Sequence, residues 1–102
     1  MSRPAKNRIV AALPQYNVFS AVDKKTAGNE KVIMSVEEYE AFRLIDCEGL
    51  TQDQCAEKMV VSRTTVQRIY KSARAKLAKM LVDGCNLKIE GGSYCLLSEE
   101  AK

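Results

Sequence analysis

The clearest pattern of apolar and polar residues lies between residues 51 and 70. Apolar residues recur there every three or four positions, first at Cys55, Ala56 and Met59 and then at Val66, Ile69 and Tyr70. This spacing places each set on one face of a helix. The stretch therefore predicts two short amphipathic helices joined by a tight turn.

Both helices begin at residues that cap helices well. Thr51 forms a capping box with Gln54, and Ser62 provides the second N-cap. A small residue, Ala56, lets the two helices approach closely, as in a helix-turn-helix. The turn carries Val60 where a residue of positive φ is common. Because β-branched residues avoid that conformation, either the turn takes a different shape or strain is stored at Val60. Of the two, we expect a turn that has adjusted to negative φ.

A further helix is predicted in front of this pair, from Ser35 to Glu48. Ser35 and Glu38 form a capping box, and Gly49 supplies a left-handed C-cap. The buried face of this helix is predicted at Tyr39, Phe42, Leu44 and Ile45. The second helix of the pair is expected to run from Arg63 to about Asp83, with Gly84 ending it. Its apolar face is predicted at Val66, Ile69, Tyr70, Ala73, Leu77 and Leu81.

Short strands are predicted at both ends of the chain. Residues 8–13 form an apolar run that Pro14 stops, and residues 86–97 alternate around Gly91-Gly92 as in a β-hairpin. The expected fold class is mainly α, a helix-turn-helix with a preceding helix, an N-terminal strand and a C-terminal hairpin. We expect one domain over 1–102, with a basic arm, strand and mobile loop in 1–34, the helical core in 35–84 and the hairpin in 85–97.

Charge is distributed unevenly along the chain, although the net charge is only +3. Residues 35–48 hold five acidic residues and one base, whereas residues 62–82 hold six bases and no acid. The basic arm at residues 2–8, with Arg3, Lys6 and Arg8, adds positive charge near the start. A polyanion would therefore be attracted to the second helix of the pair.

The chemistry of most other functional classes is missing from the sequence. The chain has no histidine and no C-x-x-C pair, and we find no catalytic constellation or phosphate-binding glycine loop. We therefore expect no metal, no cofactor and no enzymatic activity. Cys47 and Cys55 fall on or near apolar faces and are expected to be buried, inert thiols. No apolar run is long enough to span a membrane, and a cytoplasmic location is the expectation.

The chain also resembles a prokaryotic family of predicted DNA-binding proteins, uncharacterised protein family 0251, also called domain-of-unknown-function family 134. The resemblance rests on RPAKNR, LPQYNVF, the central block MSVEEYEAFRLIDCEGLTQDQCAEKMVVSRTTVQRIYKSARAKLAKMLVDG, and LKIEGGSY. It implies a helix-turn-helix similar to region 4 of sigma factors, in which a helix packs in front of the motif. Two positions depart from the family pattern. Val60 stands where Gly is usual, and Asn7 and Ala11 stand where cysteines often occur, so no metal or redox role is transferred.

These patterns predict a DNA-binding protein, and the resemblance implies that it binds specific sequences and regulates transcription. The residues expected to face base edges or phosphates are Ser62, Arg63, Thr64, Gln67, Arg68, Lys71 and Arg74. The second half of the helix, with Lys76 and Lys79, is expected either to reach phosphates or to be solvated. Because one such helix buries little surface, we expect a homodimer built partly on the hairpin, with Tyr94 and Leu96 contributing. The alternative is a protein-interaction module of the transcription machinery, with RNA polymerase as a candidate partner through the acidic helix.

Overall fold

A computed structural model describes residues 8–22 and 30–100 and confirms the mainly α fold class with small sheets. The elements are β1 (Arg8–Val10), β2 (Val18–Phe19), β3 (Lys31–Met34), α1 (Val36–Phe42), a π-helical turn (Arg43–Cys47), α2 (Gln52–Met59), α3 (Arg63–Asp83), β4 (Asn86–Ile89), β5 (Tyr94–Leu96) and α4 (Leu97–Glu100). The predicted basic arm lies outside the described residues except for Arg8, which belongs to β1 and pairs with Glu37. Most of the predicted mobile loop also lies outside them. None of the helices described is long and apolar enough to cross a membrane.

The two strands around Gly91-Gly92 are present, but they pair with other strands rather than with each other. β5 pairs in parallel with β1, while β4 lies between β2 (antiparallel) and β3 (parallel). The glycines instead contact the start of α1, where the Gly91 carbonyl accepts a hydrogen bond from the Val36 N–H at 3.0 Å. A Cβ on Gly92 would lie 2.1 Å from Glu37 Oε1, so this approach requires glycine.

Buried apolar residues form two clusters. The first joins β1, β3, β4 and the middle of α3, with Val10, Met34, Ala73 and Leu87 at 2% exposure or less. The second joins α1 and the π-helical turn to α2 and α3, through Ala41, Leu44, Cys55, Ala56, Met59, Val66 and Ile69. The second cluster is the core of the predicted helix-turn-helix, and it places the preceding helix against the pair.

The preceding helix is shorter and more irregular than predicted. α1 ends at Phe42, and the π-helical turn carries the chain on to Cys47, with the Glu48 N–H bonded to the Arg43 carbonyl at 3.0 Å. Gly49 follows at φ +79, as expected for a left-handed cap. The guanidinium of Arg43 bridges Glu40 and Glu48, and its hydrogen bonds to Glu40 raise the pKa of Arg43.

Two side chains predicted to be buried are exposed. Leu81 is 77% exposed, whereas Leu77 and Met80 of the same helix pack against the first cluster, so Leu81 lies off the buried face of α3. Cys47 is exposed at the end of the π-helical turn, which rotates it away from the core. Cys55 is buried, as predicted. Its burial, together with the nearby Glu40, raises the pKa of the thiol to about 11.

Candidate nucleic-acid interface

The two helices of the predicted motif begin at the expected residues. The Thr51 and Gln54 side chains form the capping box of α2, with bonds of 3.1 and 2.9 Å to the two backbone N–H groups. At the start of α3, the Ser62 oxygen accepts from the Thr65 N–H at 3.1 Å. These caps satisfy N–H groups that would otherwise lack a partner, and so fix where each helix starts.

The turn between the helices adopts the conformation that the sequence argued against. Val60 has φ +58 and ψ +52, which is the left-handed region, and the expectation of negative φ was wrong. The Val61 N–H bonds the Ala56 carbonyl at 3.1 Å, and the Val60 N–H bonds the Glu57 carbonyl at 3.3 Å. This pair of bonds is a Schellman motif, which requires a left-handed residue after the helix. Val61 packs against the second cluster, so the surrounding structure holds Val60 in place.

The exposed face of α3 is polar over its first half. All of the predicted contact residues from α3 are exposed, namely Arg63, Thr64, Gln67, Arg68, Lys71 and Arg74. The opposite face carries Val66, Ile69 and Ala73, each at 3% exposure or less. The structure therefore brings the predicted residues onto one accessible surface. Ser62 lies at its edge, where its hydroxyl also donates to Thr65 Oγ1 at 3.0 Å.

Four cationic side chains on this face have few competing partners. Arg63 lies 3.7 Å from Asp53, but both side chains are more than half exposed, so this ion pair is weak. Within residues 8–22 and 30–100, Arg68 and Lys71 form no ion pair. The guanidinium of Arg74 lies 5.6 Å from the centre of the Tyr70 ring.

Tyr70 connects Arg74 to the π-helical turn. Its hydroxyl donates to Asp46 Oδ1 at 2.9 Å and accepts from Arg74 Nη1 at 3.4 Å. Burial and the bond to Asp46 raise the pKa of Tyr70, so the hydroxyl stays protonated. This contact joins residues 24 positions apart and restrains Arg74, which sequence spacing could not reveal.

The lysines in the second half of α3 are held by acidic residues of the same chain. Lys76 Nζ lies 2.7 Å from Glu38 Oε1, and Lys79 Nζ lies within 3.4 Å of both Glu30 and Asp83. Glu38 also accepts from Ser72 and from the Ser35 N–H. Burial alone would raise the pKa of Glu38, but these hydrogen bonds lower it. Lys76 is therefore part of the contact between α1 and α3.

The predicted acidic surface of α1 is largely buried. Glu38 and Glu40 are 9% and 2% exposed, and Glu37 lies between Arg8 and the Ser93 N–H. Of the acids counted between residues 35 and 48, Asp46 and Glu48 are exposed. The alternation of charged residues along α1 gave no indication of this, because the neighbours that bury them come from β1 and α3.

A shallow groove next to the turn adds residues that the sequence did not indicate. It has a volume of about 710 Å³, and α2, the turn and α3 line it together with Arg8 of β1. Thr65 and Glu57 face the same groove. The pairing of β1 with β5 places Arg8 here, and only that non-local contact could have predicted it.

Comparisons with known proteins identify the family. The family described as "protein of unknown function DUF134" matches residues 1–97. A UPF0251 protein of Desulfitobacterium hafniense (strain Y51) is 54% identical over 96 residues, which cover 94% of this chain and 77% of the relative. A UPF0251 protein of Halothermothrix orenii is 44% identical over 102 residues, covering 100% of this chain and 76% of the relative. No solved structure matches the chain. The chain therefore belongs to the DUF134 (UPF0251) family.

Proposed function

We propose that this protein binds double-stranded DNA sequence-specifically through α3 and regulates transcription. The observation that carries the proposal is the exposed first half of α3, where four cations and two hydrogen-bonding side chains share one face. That face follows a helix and a tight turn, and the packing of α2 against α3 through the second cluster supports the interpretation of the pair as a helix-turn-helix. In proteins with this motif, the second helix enters the major groove and its first residues contact base edges.

The residues on this face have different roles in the proposal. Arg63 and Arg68 can form paired hydrogen bonds with guanine, and Gln67 can do so with adenine. Lys71 and Arg74 lie farther along the helix and contact phosphates, which set the position of the helix without reading sequence. Ser62 and Thr64 stand at the start of α3, where the helix dipole also favours a phosphate.

We also propose that two copies act as a homodimer. The predicted contact through Tyr94 and Leu96 has little support, because both side chains are half buried against the first cluster of their own chain. The exposed apolar residues at the end of α3, Leu81 at 77% and Val82 at 82%, are better candidates.

The test begins with selection of bound sequences from a random duplex pool by the intact chain. Affinity for the selected duplex is then measured by fluorescence anisotropy at several salt concentrations. Arg63→Ala and Arg68→Ala should each weaken specific binding by about 1–3 kcal/mol and relax the preference at one base position. Lys88→Ala removes the same charge from β4, where Lys88 pairs with Glu90, and serves as the matched control.

The outcomes separate DNA binding from a protein-interaction role. Loss of one phosphate contact should reduce the slope of log K against log salt concentration by about 0.9, while Lys88→Ala should leave this slope unchanged. If the pool yields no enriched sequence and affinity does not depend on salt, the proposal is overturned. RNA polymerase would then become the first partner to test by direct binding.

A further inference from the structure

An apolar cavity of about 180 Å³ lies between the helices and the three-stranded sheet, away from the proposed DNA-binding face. Two of its walls are helical. Tyr39 and Phe42 of α1 form one wall, and Leu77 and Met80 of α3 form the other. All four are only partly buried, although they pack against the first cluster. The helices therefore meet the sheet without filling the space between them.

The sheet closes the remaining sides of the cavity. Met34, Leu87 and Ile89 line its floor and are themselves 5% exposed or less. Phe19 of β2 also lines the cavity but is 43% exposed, so it stands where the cavity meets solvent. A buried floor with one exposed aromatic residue at the edge is the form of a small binding site with an entrance.

The chemistry of the lining restricts what can occupy the cavity. Its lining is apolar throughout, so it offers a water molecule no hydrogen-bond partner. An enclosed apolar cavity of about 150 Å³ stays dry and accepts benzene, and this partly open cavity has a similar volume. An ion would lose its hydration without gaining a partner. The two methionines can adjust their side chains and make favourable contacts between sulfur and an aromatic ring.

We propose that this cavity binds a neutral, apolar molecule the size of a single aromatic ring. The site goes beyond the proposed function, since nothing in DNA recognition requires it. Its effect on DNA rests on the proposed function, because Leu77 and Met80 belong to the same helix as the DNA-binding face. An occupied cavity fixes the second half of α3 against α1 and the sheet. Occupancy is therefore expected to strengthen DNA binding.

The test uses the intact chain with methionine methyl groups labelled for NMR and toluene as the probe. The methyl signals of Met34 and Met80 should shift saturably, with a Kd of about 1 mM or tighter, within the range open to so small a ligand. Met59 is fully buried in the other cluster and should not shift, which makes it an internal control. Benzoate and benzylamine, which are charged at neutral pH, should leave all of these signals unchanged.

Two variants of one residue sharpen the test. Leu77→Phe adds volume inside the cavity and should abolish the toluene shifts, while Leu77→Met conserves volume and should retain them. Circular dichroism of each variant checks that it is folded. The proposal is overturned if Met34 and Met80 do not respond, if Met59 responds equally, or if Leu77→Phe binds toluene as the parent does.

A separate measurement addresses the coupling to DNA. Saturating toluene should increase affinity for the selected duplex in the parent chain and have no effect in Leu77→Phe. Saturable toluene binding with unchanged DNA affinity would overturn the coupling. If the ligand-free protein binds no duplex at all, the proposed function fails instead, and the NMR result still decides whether the cavity is a ligand site.

Discussion

Val60→Gly should stabilise the protein, although valine to glycine is normally a destabilising change. Val60 is held at φ +58 by the Schellman motif that ends α2. Glycine adopts this conformation without strain, and both hydrogen bonds of the motif involve backbone atoms that the substitution retains. The motif and the start of α3 should therefore be unchanged in the variant.

Three contributions set the size of the effect. A non-glycine residue in the left-handed region carries a strain of about 1–3 kcal/mol. Because valine is β-branched, we place Val60 in the upper part of that range, at about 2–3 kcal/mol. Glycine costs about 0.4–1 kcal/mol through the entropy of the unfolded chain. Val60 is 61% exposed, so the burial lost is a minor part of a valine side chain, at about 0.6–1 kcal/mol. The net expectation is a stabilisation of about 1 kcal/mol.

Urea and thermal unfolding of the parent and the variant measure this difference directly. The free energy of unfolding should rise by about 1 kcal/mol, and Tm by roughly 4–8 °C for a domain of this size. Gly49→Ala provides the control, because Gly49 has φ +79 and an added Cβ would meet no atom within 4 Å. Gly49→Ala should destabilise the protein by about 1 kcal/mol, because the strain of alanine in the left-handed region exceeds the stabilisation gained from the lower entropy of the unfolded chain. If Gly49→Ala destabilises as expected and Val60→Gly does too, Val60 is not strained in solution.

Two further predictions concern buried acid and thiol groups. Glu38→Gln should destabilise the protein by about 1–3 kcal/mol at pH 7, because Lys76 loses its buried charged partner. The folded pKa of Glu38 is lowered, so its contribution to stability is complete above the ordinary pKa of a glutamate, 4.5, and is lost as pH falls through the folded pKa. The urea midpoints of parent and variant should converge as pH falls below the folded pKa of Glu38. A difference between the midpoints that does not change with pH would contradict this reasoning. In native protein, a maleimide should label exposed Cys47 faster than half-buried Cys95 and faster than buried Cys55 and Cys85, and Cys47→Ser should remove this fastest phase. Equal rates at Cys47 and Cys55 would show that the helical core opens readily.

Local sequence signals located most element boundaries correctly. The capping residues Thr51 and Ser62 mark helix starts, and Gly84, at φ +70, ends α3 where predicted. Each signal depends on hydrogen bonds within a few residues, so it is visible in the sequence. The contact residues on α3 were also predictable as an exposed face, because their spacing relative to Val66 and Ile69 follows the helical period.

Features that depend on distant contacts were not predictable in the same way. The glycine pair at 91–92 is typical of a hairpin turn, but here it lies against Ser35 and Glu37 of α1. The conformation of Val60 depends on the packing of Val61 into the second cluster, which overrides the preference of the residue itself. In both cases a local preference met a stronger tertiary requirement.

The basic residues of α3 show why a charge count alone overstates a candidate DNA-binding surface. The sequence places six bases and no acid between residues 62 and 82. Lys76 is paired with buried Glu38, which lies 38 positions earlier, so it cannot neutralise phosphate without breaking a contact of the fold. Lys79 forms exposed pairs with Glu30 and Asp83, which compete only weakly with phosphate. The first half of α3 retains Arg63, Arg68, Lys71 and Arg74 on the exposed face. Within α3, the electrostatic part of any DNA affinity should therefore arise mainly from these four residues, which share the face with the side chains proposed to read bases.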